Sequence, residues 1–306
     1  MDQTMEDMKF IGFSGIFSQS FKTIFTWKKT FAQITLTLIL PLAFTFTAHM
    51  YLFNQIEKNP YQLLAGAFDS YQSYHHTEAT PTDWRNYFLF KSIFIATVTA
   101  FSVLSTATVV YTIASVYTGR DVTYRKSMKV VPKVWKRLTV TFLCMLLTLF
   151  AYSLIASVLI FICNAGDEYL ATNNLFWLAV AILYGYGFLY LIIVCQIANV
   201  VSVLESSYGI KAMIKSTDLM IGKRKTALTT SYVLYQILAC VVFVYMPLVV
   251  HNKADLAVVW RVVIGVVCWV LLVILFLVVM VAQTVLYLVC KSHHREVIDP
   301  VSLSRF

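Results

Sequence analysis

The chain has 306 residues, of which 59% are hydrophobic and 13% are charged, and its formal net charge is +9 at pH 7. Soluble domains carry about 45–50% apolar and about 25% charged residues. This composition therefore excludes a soluble globular enzyme, a disordered protein and a disulfide-rich secreted module. It predicts an integral membrane protein that crosses the bilayer several times.

Six apolar stretches are long enough to cross a bilayer, which takes roughly 20 residues of α-helix. None of them alternates with a period of two, as the strands of a membrane barrel do. We therefore predict an all-α polytopic fold, with one integral membrane domain over residues 1–306. The six predicted spans are Phe31–Phe53, Phe88–Tyr117, Leu138–Cys163, Leu175–Leu204, Ala227–Val250 and Ala257–Cys290.

Most of the 24 Lys and Arg residues gather on one side of these spans. They lie in residues 1–30, in the loops after the second and fourth spans, and in the tail 291–306. Because cytosolic loops carry the excess of Lys and Arg, both termini are predicted to be cytosolic, and the loop 54–87 non-cytosolic. The endoplasmic reticulum, other endomembranes and the plasma membrane all fit this orientation.

The approaches to the first, third and fifth spans resemble one another. Each opens on a serine (Ser20, Ser127 or Ser216), continues with apolar and basic residues, and ends in a basic cluster. Apolar residues at helical spacing give each approach one apolar face. We predict three cytosolic amphipathic interfacial helices and a threefold repeat of a helical hairpin. The predicted apolar faces are Phe10, Phe13, Phe17, Phe21 and Ile24, then Tyr124, Met128, Val131 and Trp135, then Ile210, Met213, Ile214 and Ile221.

The basic clusters in these approaches are candidate contacts for lipid headgroups. Each basic residue near an anionic leaflet adds on the order of 1 kcal/mol of attraction. The alternative is that these residues only anchor the ends of the spans, since basic flanks follow from topology alone. A nucleic-acid interface is excluded, because the charge is spread over four segments without a recognisable module. The candidate headgroup contacts are Lys28, Lys29, Lys136, Arg137, Lys223 and Arg224.

Polar residues inside the spans are amides and hydroxyls, and the middles of the six spans contain no charged residue. This pattern argues against a proton-coupled pump, a voltage sensor or an Asp/Glu-based carrier. Gln196 and Asn199 are three residues apart and share one face of the fourth span. Together with Gln236 in the fifth span they are the candidates for a polar cavity. The alternative is that these amides bond across helices as packing contacts.

Motifs for nucleophilic catalysis, phosphate-binding loops and metal-ligand spacings do not occur in the sequence. We therefore expect no catalytic residue, no cofactor and no metal, while an intramembrane enzyme remains a third, less favoured class. Tyr184-Gly-Tyr-Gly187 places two small residues where helices can approach closely. Pro41 and Pro247 are expected to interrupt their spans, either as simple kinks or at a binding site.

The residues after the fourth span follow a pattern that resembles a known family. Val200-Val-Ser-Val-Leu-Glu205, followed by Gly209, Ala212, Ser216, Leu219, Gly222, Lys223 and Arg224, resembles the polytopic membrane domain found beside bacterial glycerophosphodiester phosphodiesterases. With Trp27-Lys-Lys-Thr30 and Val131-Pro-Lys-Val-Trp-Lys-Arg137, the chain is most similar to a family of plant six-span membrane proteins of unassigned function. The sequence lacks the catalytic domain of the bacterial fusions, so the resemblance implies no phosphodiesterase activity.

The resemblance implies a structural elbow on the cytosolic side. Glu205 ends the fourth span, and Gly209 permits the turn into the next helix. Glu205 is then expected to pair with Lys211, Lys215 or Arg224. The alternative role for Glu205 is a purely structural ion pair at the membrane edge.

These observations favour a non-enzymatic protein that organises or handles lipid at the cytosolic leaflet. Its expected partners are membrane lipids, anionic ones among them, and the sequence assigns no protein partner. The alternative is a facilitative transporter or channel for a small polar or uncharged solute.

Overall fold

The structure is a computed structural model, and it describes residues 11–58, 81–119, 123–166, 174–251 and 257–294. Every regular element in these ranges is helical, and six helices in them are long and apolar enough to cross a membrane. The predicted all-α fold with six spans is thereby confirmed. The predictions that fall on Phe10, on residues 59–80 of the long loop and on residues 295–306 of the tail lie outside the described residues.

The helices are numbered in chain order. They are α1 (Phe13–Thr26), α2 (Lys28–Ile34), α3 (Leu40–Lys58), α4 (Pro81–Tyr117), α5 (Tyr124–Gly166), α6 (Asn174–Leu204), α7 (Ile210–Leu219), α8 (Arg224–Tyr245) and α9 (Val258–His293). Two π-helical turns occur as well, Thr35–Ile39 between α2 and α3, and Met246–Val250 after α8.

The π-helical turns lie beside the two prolines that were expected to interrupt their spans. Pro41 follows the first turn, and Pro247 is the second residue of the other. At the second turn the N–H of His251 donates to the carbonyl of Met246, 2.9 Å away, which is the five-residue spacing of a π-helix. The first and fifth spans therefore change hydrogen-bonding pattern at these points without losing helical structure.

The approach to the first span forms a separate helix. The carbonyl of Gly12 accepts the N–H of Ile16 and starts α1. At Trp27 the backbone leaves helical geometry (φ −107°, ψ 34°), and the chain re-enters helix at Lys28. A single residue thus separates α1 from the first span.

The approach to the third span does not form a separate helix. Residues 124–137 are the first turns of α5, which continues through the third span with Pro132 inside it. Proline removes one backbone hydrogen bond from a helix. Pro132 is exposed and lies near the start of the helix, and the carbonyl that loses its partner is that of Met128, which is half-buried. The separate helix expected here is instead continuous with the span.

The chain divides into two compact units. The first comprises residues 1–31, 106–234 and 278–306, and the second comprises residues 32–105 and 235–277. The second unit has a small buried cluster of Tyr245, Val250 and Cys268, in which the Tyr245 hydroxyl donates to the carbonyl of Thr47.

The first unit buries many hydroxyl groups among its apolar side chains. The serines that open the three similar approaches are all buried in it: Ser20 and Ser216 are 0% exposed and Ser127 is 2% exposed. Ser127 bonds the hydroxyl of Thr112, and Ser216 donates to the carbonyl of Val194. The three serines therefore share burial and hydrogen bonding, and the threefold repeat stays a prediction.

Candidate functional site

The candidate site is the turn that joins α6 to α7. Helix α6 ends at Leu204, and Gly209 directly precedes α7 with φ +63° and ψ −137°. Residues with a Cβ atom rarely adopt this conformation, so glycine is required here. The N–H of Gly209 donates to the hydroxyl of Thr141 on α5 at 2.9 Å. The turn is therefore held against the third span by a buried hydrogen bond.

Glu205 lies at the centre of a polar cluster that also contains Lys215, Tyr287 and Lys291. Its carboxylate contacts the Lys215 ammonium at 2.5 Å and the Lys291 ammonium at 2.7 Å, and it accepts a bond from the Tyr287 hydroxyl at 2.7 Å. The side chain of Glu205 is 12% exposed and that of Lys291 is 9% exposed, whereas Lys215 is 37% exposed. We call these four residues the Glu205 cluster. It ties the turn after α6 both to α7 and to the end of α9.

The net effect of these contacts is to lower the pKa of the Glu205 carboxyl. Burial is the largest single influence, and on its own it raises the pKa. Hydrogen bonds from Lys215, Lys291 and Tyr287, with the positive charge of Lys291, act in the opposite direction and together outweigh it. Glu205 is therefore ionised at neutral pH, and its negative charge is part of the folded structure.

The sequence identified Lys215 as one of three candidate partners of Glu205. It missed Tyr287 and Lys291, which are 82 and 86 residues away along the chain. The available signal was Lys291 itself, a basic residue directly after a long apolar run. Of the other two candidates, Lys211 lines a cavity described below, and Arg224 is exposed at the first residue of α8.

A cavity of about 430 Å³ opens beside α7. Lys215 belongs both to the Glu205 cluster and to the wall of this cavity. His294, which follows α9, reaches the same wall, and one of its ring nitrogens lies 3.1 Å from the carbonyl oxygen of Ile221. The residues that line the cavity are Lys211, Ile214, Lys215, Asp218, Leu219 and His294.

Each predicted apolar face has some residues buried in the protein and others exposed on its surface. On α7, Ile210 and Ile214 are exposed while Met213 is buried, and in the turn after it Ile221 is exposed. On α1, the exposed large apolar residues are Phe13, Phe21 and Phe25, and the buried ones are Ile16, Ser20 and Thr23. At the start of α5, Trp135 is exposed and Val131 is buried. Each approach therefore packs one face on the protein and presents apolar side chains outward.

The candidate headgroup contacts lie in the first turns of three span helices, or directly before them. Lys28, Lys29, Lys136, Arg137 and Arg224 are exposed. Lys223 is half-buried, and its ammonium donates to the carbonyl of Ile11 at 3.4 Å.

The three candidates for a polar cavity have different surroundings. The amide oxygens of Gln196 and Asn199 are buried and have no hydrogen-bond partner among the described residues. Gln236 is exposed on α8, and it belongs to the second unit whereas the other two belong to the first. None of the three lines the cavity beside α7 or a second, apolar cavity of about 380 Å³ in the second unit.

The second cavity lies between α8 and α9 and is lined by Cys240, Val241, Val244, Trp260, Val263, Ile264, Val267, Cys268 and Leu271. Within the described ranges, no group of three or more His, Cys, Asp or Glu side chains is arranged to hold a metal ion. All six cysteines are free thiols.

A family model described as a domain of unknown function (DUF8558) matches residues 1–306, so the chain belongs to that family. Comparisons with curated proteins and with solved structures gave no match. The resemblance to plant six-span proteins and to the domain beside bacterial phosphodiesterases stays a prediction from the sequence motifs.

Proposed function

We propose that this member of the family is a non-enzymatic multi-pass membrane protein that organises or handles lipid at the cytosolic leaflet, with both termini in the cytosol. The observation that carries the proposal is the outward face of α1. Phe13, Phe21 and Phe25 project away from the protein on a helix whose other face is buried. A helix outside the spans with this arrangement suits the headgroup plane, where its apolar face inserts about 5–10 Å into the leaflet.

The charges beside these helices support the same proposal. Exposed basic residues begin the first, third and fifth spans, and each adds on the order of 1 kcal/mol of attraction to an anionic leaflet. Because exposed charges are screened by salt, binding of anionic lipid should weaken as the ionic strength rises.

The test is native mass spectrometry of the protein released gently from its own membranes. One variant replaces Lys136, Arg137, Lys223 and Arg224 by Gln. Its matched control exchanges Lys and Arg at the same four positions and keeps every charge. We expect a stoichiometric, headgroup-selective lipid on the wild type and on the exchange control, and its loss from the Gln variant. A wild type that carries no lipid, or carries all lipids indiscriminately, would overturn the proposal.

One observation favours the transporter alternative, namely the buried amide oxygens of Gln196 and Asn199 without a partner. Buried polar groups normally have hydrogen bonds, so a polar solute or water could be what these oxygens bind. The test is solute flux in proteoliposomes with Gln196→Leu, and with Gln236→Leu as the exposed control. Flux that Gln196→Leu abolishes and Gln236→Leu retains would support transport, whereas a wild type without flux would refute it.

A further inference from the structure

The cavity beside α7 combines basic side chains with a size suited to a small ligand. Ligand sites in proteins commonly have volumes of about 300–1,000 Å³, and this cavity has about 430 Å³. Lys211 and Lys215 are four residues apart, so they project from the same face of α7. Both lysines line the cavity.

The charges of the described lining residues favour an anion. Lys211 and Lys215 line the cavity with the carboxylate of Asp218, and His294 adds a further polar group. Lys215 also pairs with Glu205, but Glu205 shares its negative charge with Lys291, so three ammonium groups stand against two carboxylates at this wall. Lysine binds phosphate as a point charge through three donors, and it needs no bidentate geometry. Asp218 provides an acceptor on the same wall, which suits a hydroxyl or ammonium group attached to the phosphate.

The wall of the cavity is held in place before any ligand arrives. Glu205 contacts the Lys215 ammonium at 2.5 Å, and the Ser216 hydroxyl donates to the carbonyl of Val194 on α6 at 2.9 Å. Gly209, at the start of α7, is bonded to Thr141. Ligand binding to a wall that is already ordered avoids the entropy cost of fixing its side chains.

Apolar side chains lie directly beside the charged ones. Ile214 lines the cavity and is exposed, and Ile210 and Ile221 are exposed on either side of it. This neighbourhood suits a phosphate whose remainder is apolar, as in a phospholipid. A soluble phosphate would use the charged groups alone.

We infer that the cavity formed by Lys211, Lys215, Asp218 and His294 is a binding site for a phosphate group, carried by a phospholipid headgroup or free in solution. The inference rests on the proposed function, because a protein that handles lipid selectively needs a site that reads the headgroup. It adds a specific site to the dispersed basic residues discussed above.

The test compares wild type with Lys211→Gln and His294→Gln, both outside the Glu205 cluster, and with Lys225→Gln as a control. Lys225 is an exposed lysine near the start of α8 and does not line the cavity. The full chain in nanodiscs of phosphatidylcholine with added phosphatidylglycerol is assayed for bound lipid by native mass spectrometry. Binding of inorganic phosphate is measured in parallel by calorimetry in detergent.

We expect Lys211→Gln to weaken binding about fivefold, as loss of one basic contact predicts, and Lys225→Gln to leave it nearly unchanged. If Lys211→Gln and His294→Gln lose only bound phosphatidylglycerol, the site binds the phosphate of a lipid. If they lose only inorganic phosphate, the site binds phosphate from solution. Equal binding by wild type, Lys211→Gln and His294→Gln in both assays would overturn the inference.

The outcomes also separate this inference from the proposed function. Selective lipid binding that depends on Lys136 and Arg137 but not on Lys211 would refute the cavity and keep the lipid role. Binding of inorganic phosphate that depends on Lys211, without any lipid selectivity, would keep the cavity as a phosphate site and refute the lipid role.

Discussion

Replacing Glu205 by Ala should destabilise the protein by about 3 kcal/mol. Breaking a buried ion pair costs roughly 3–5 kcal/mol, because the remaining charge loses its counterion. The pair with Lys291 is largely buried, with side-chain exposures of 12% for Glu205 and 9% for Lys291. The pair with Lys215 is 37% exposed on the lysine side and adds at most about 1 kcal/mol. We use the low end of the range for a buried ion pair, about 3 kcal/mol, because the Glu205 side chain is still 12% exposed.

The assay is thermal unfolding in detergent near pH 7, followed by intrinsic fluorescence. About 3 kcal/mol should lower the midpoint by roughly 6–12 °C. Glu205→Gln keeps the shape but loses the charge, and it should cost about 1.5–3 kcal/mol. Glu205→Leu combined with Lys291→Met should recover much of the loss, because apolar replacements of a buried pair are often neutral. Asp218→Ala, at an exposed carboxylate on α7, is the control and should leave the midpoint unchanged.

A midpoint for Glu205→Ala within about 2 °C of wild type would refute this reasoning, because the loss would then be below about 1 kcal/mol. The reasoning would also be refuted if the double variant Glu205→Leu/Lys291→Met lost as much stability as the two single variants lose together. The first result would mean that the cluster contributes little to stability. The second would mean that Glu205 and Lys291 contribute independently rather than as a pair.

Three further predictions concern pH and the glycines. The pKa of the Glu205 carboxyl in the folded protein lies below its ordinary value of 4.5. The stabilisation by its ion pairs is therefore present above pH 4.5 and is lost as the pH falls through the folded pKa. The difference in thermal midpoint between wild type and Glu205→Gln should shrink on acidification, and a constant difference would contradict the pairing. Gly187→Ala should cost about 1–3 kcal/mol, because the added methyl collides with the Tyr152 hydroxyl, which is itself bonded to the carbonyl of Tyr184. Gly185→Ala faces open space in the same helix and should stabilise it by up to about 1 kcal/mol in the same unfolding assay. Gly209→Ala should cost about 1–3 kcal/mol from backbone strain alone, since its new Cβ would make only ordinary contacts; an unchanged midpoint would show that the turn relaxes.

The sequence was sufficient to predict the spans because a bilayer demands long apolar runs whatever the function. Five of the six spans agree with the prediction to within three residues at both ends, and the exception is the third span, which starts at Tyr124 rather than at Leu138. The start was predicted at Leu138 because the apolar run begins there, after the basic cluster, whereas the helix itself extends back through that cluster to Tyr124. The π-helical turns beside Pro41 and Pro247 depend on local backbone geometry that no residue pattern specifies.

The candidate site was only partly predictable. Gly209 and Lys215 lie within ten residues of Glu205, where the geometry of one turn and one helix limits the choices. Lys291 comes from another span, and helix periodicity carries no information about which helices are neighbours. The division of α7 into buried Met213 and exposed Ile214 was also missed, because both are apolar and only packing distinguishes a face toward protein from one toward lipid.

The wide sequence separation within the Glu205 cluster sets an order of events during synthesis. Lys215 emerges from the ribosome almost together with Glu205, but Lys291 follows 86 residues later. At about 5–20 residues per second, translation of that stretch takes roughly 4–17 s. Throughout this interval Lys215 is the only ammonium group of the cluster available to Glu205. Arrival of the last span then supplies the second ammonium group, so the cluster closes only when the whole set of helices has been inserted.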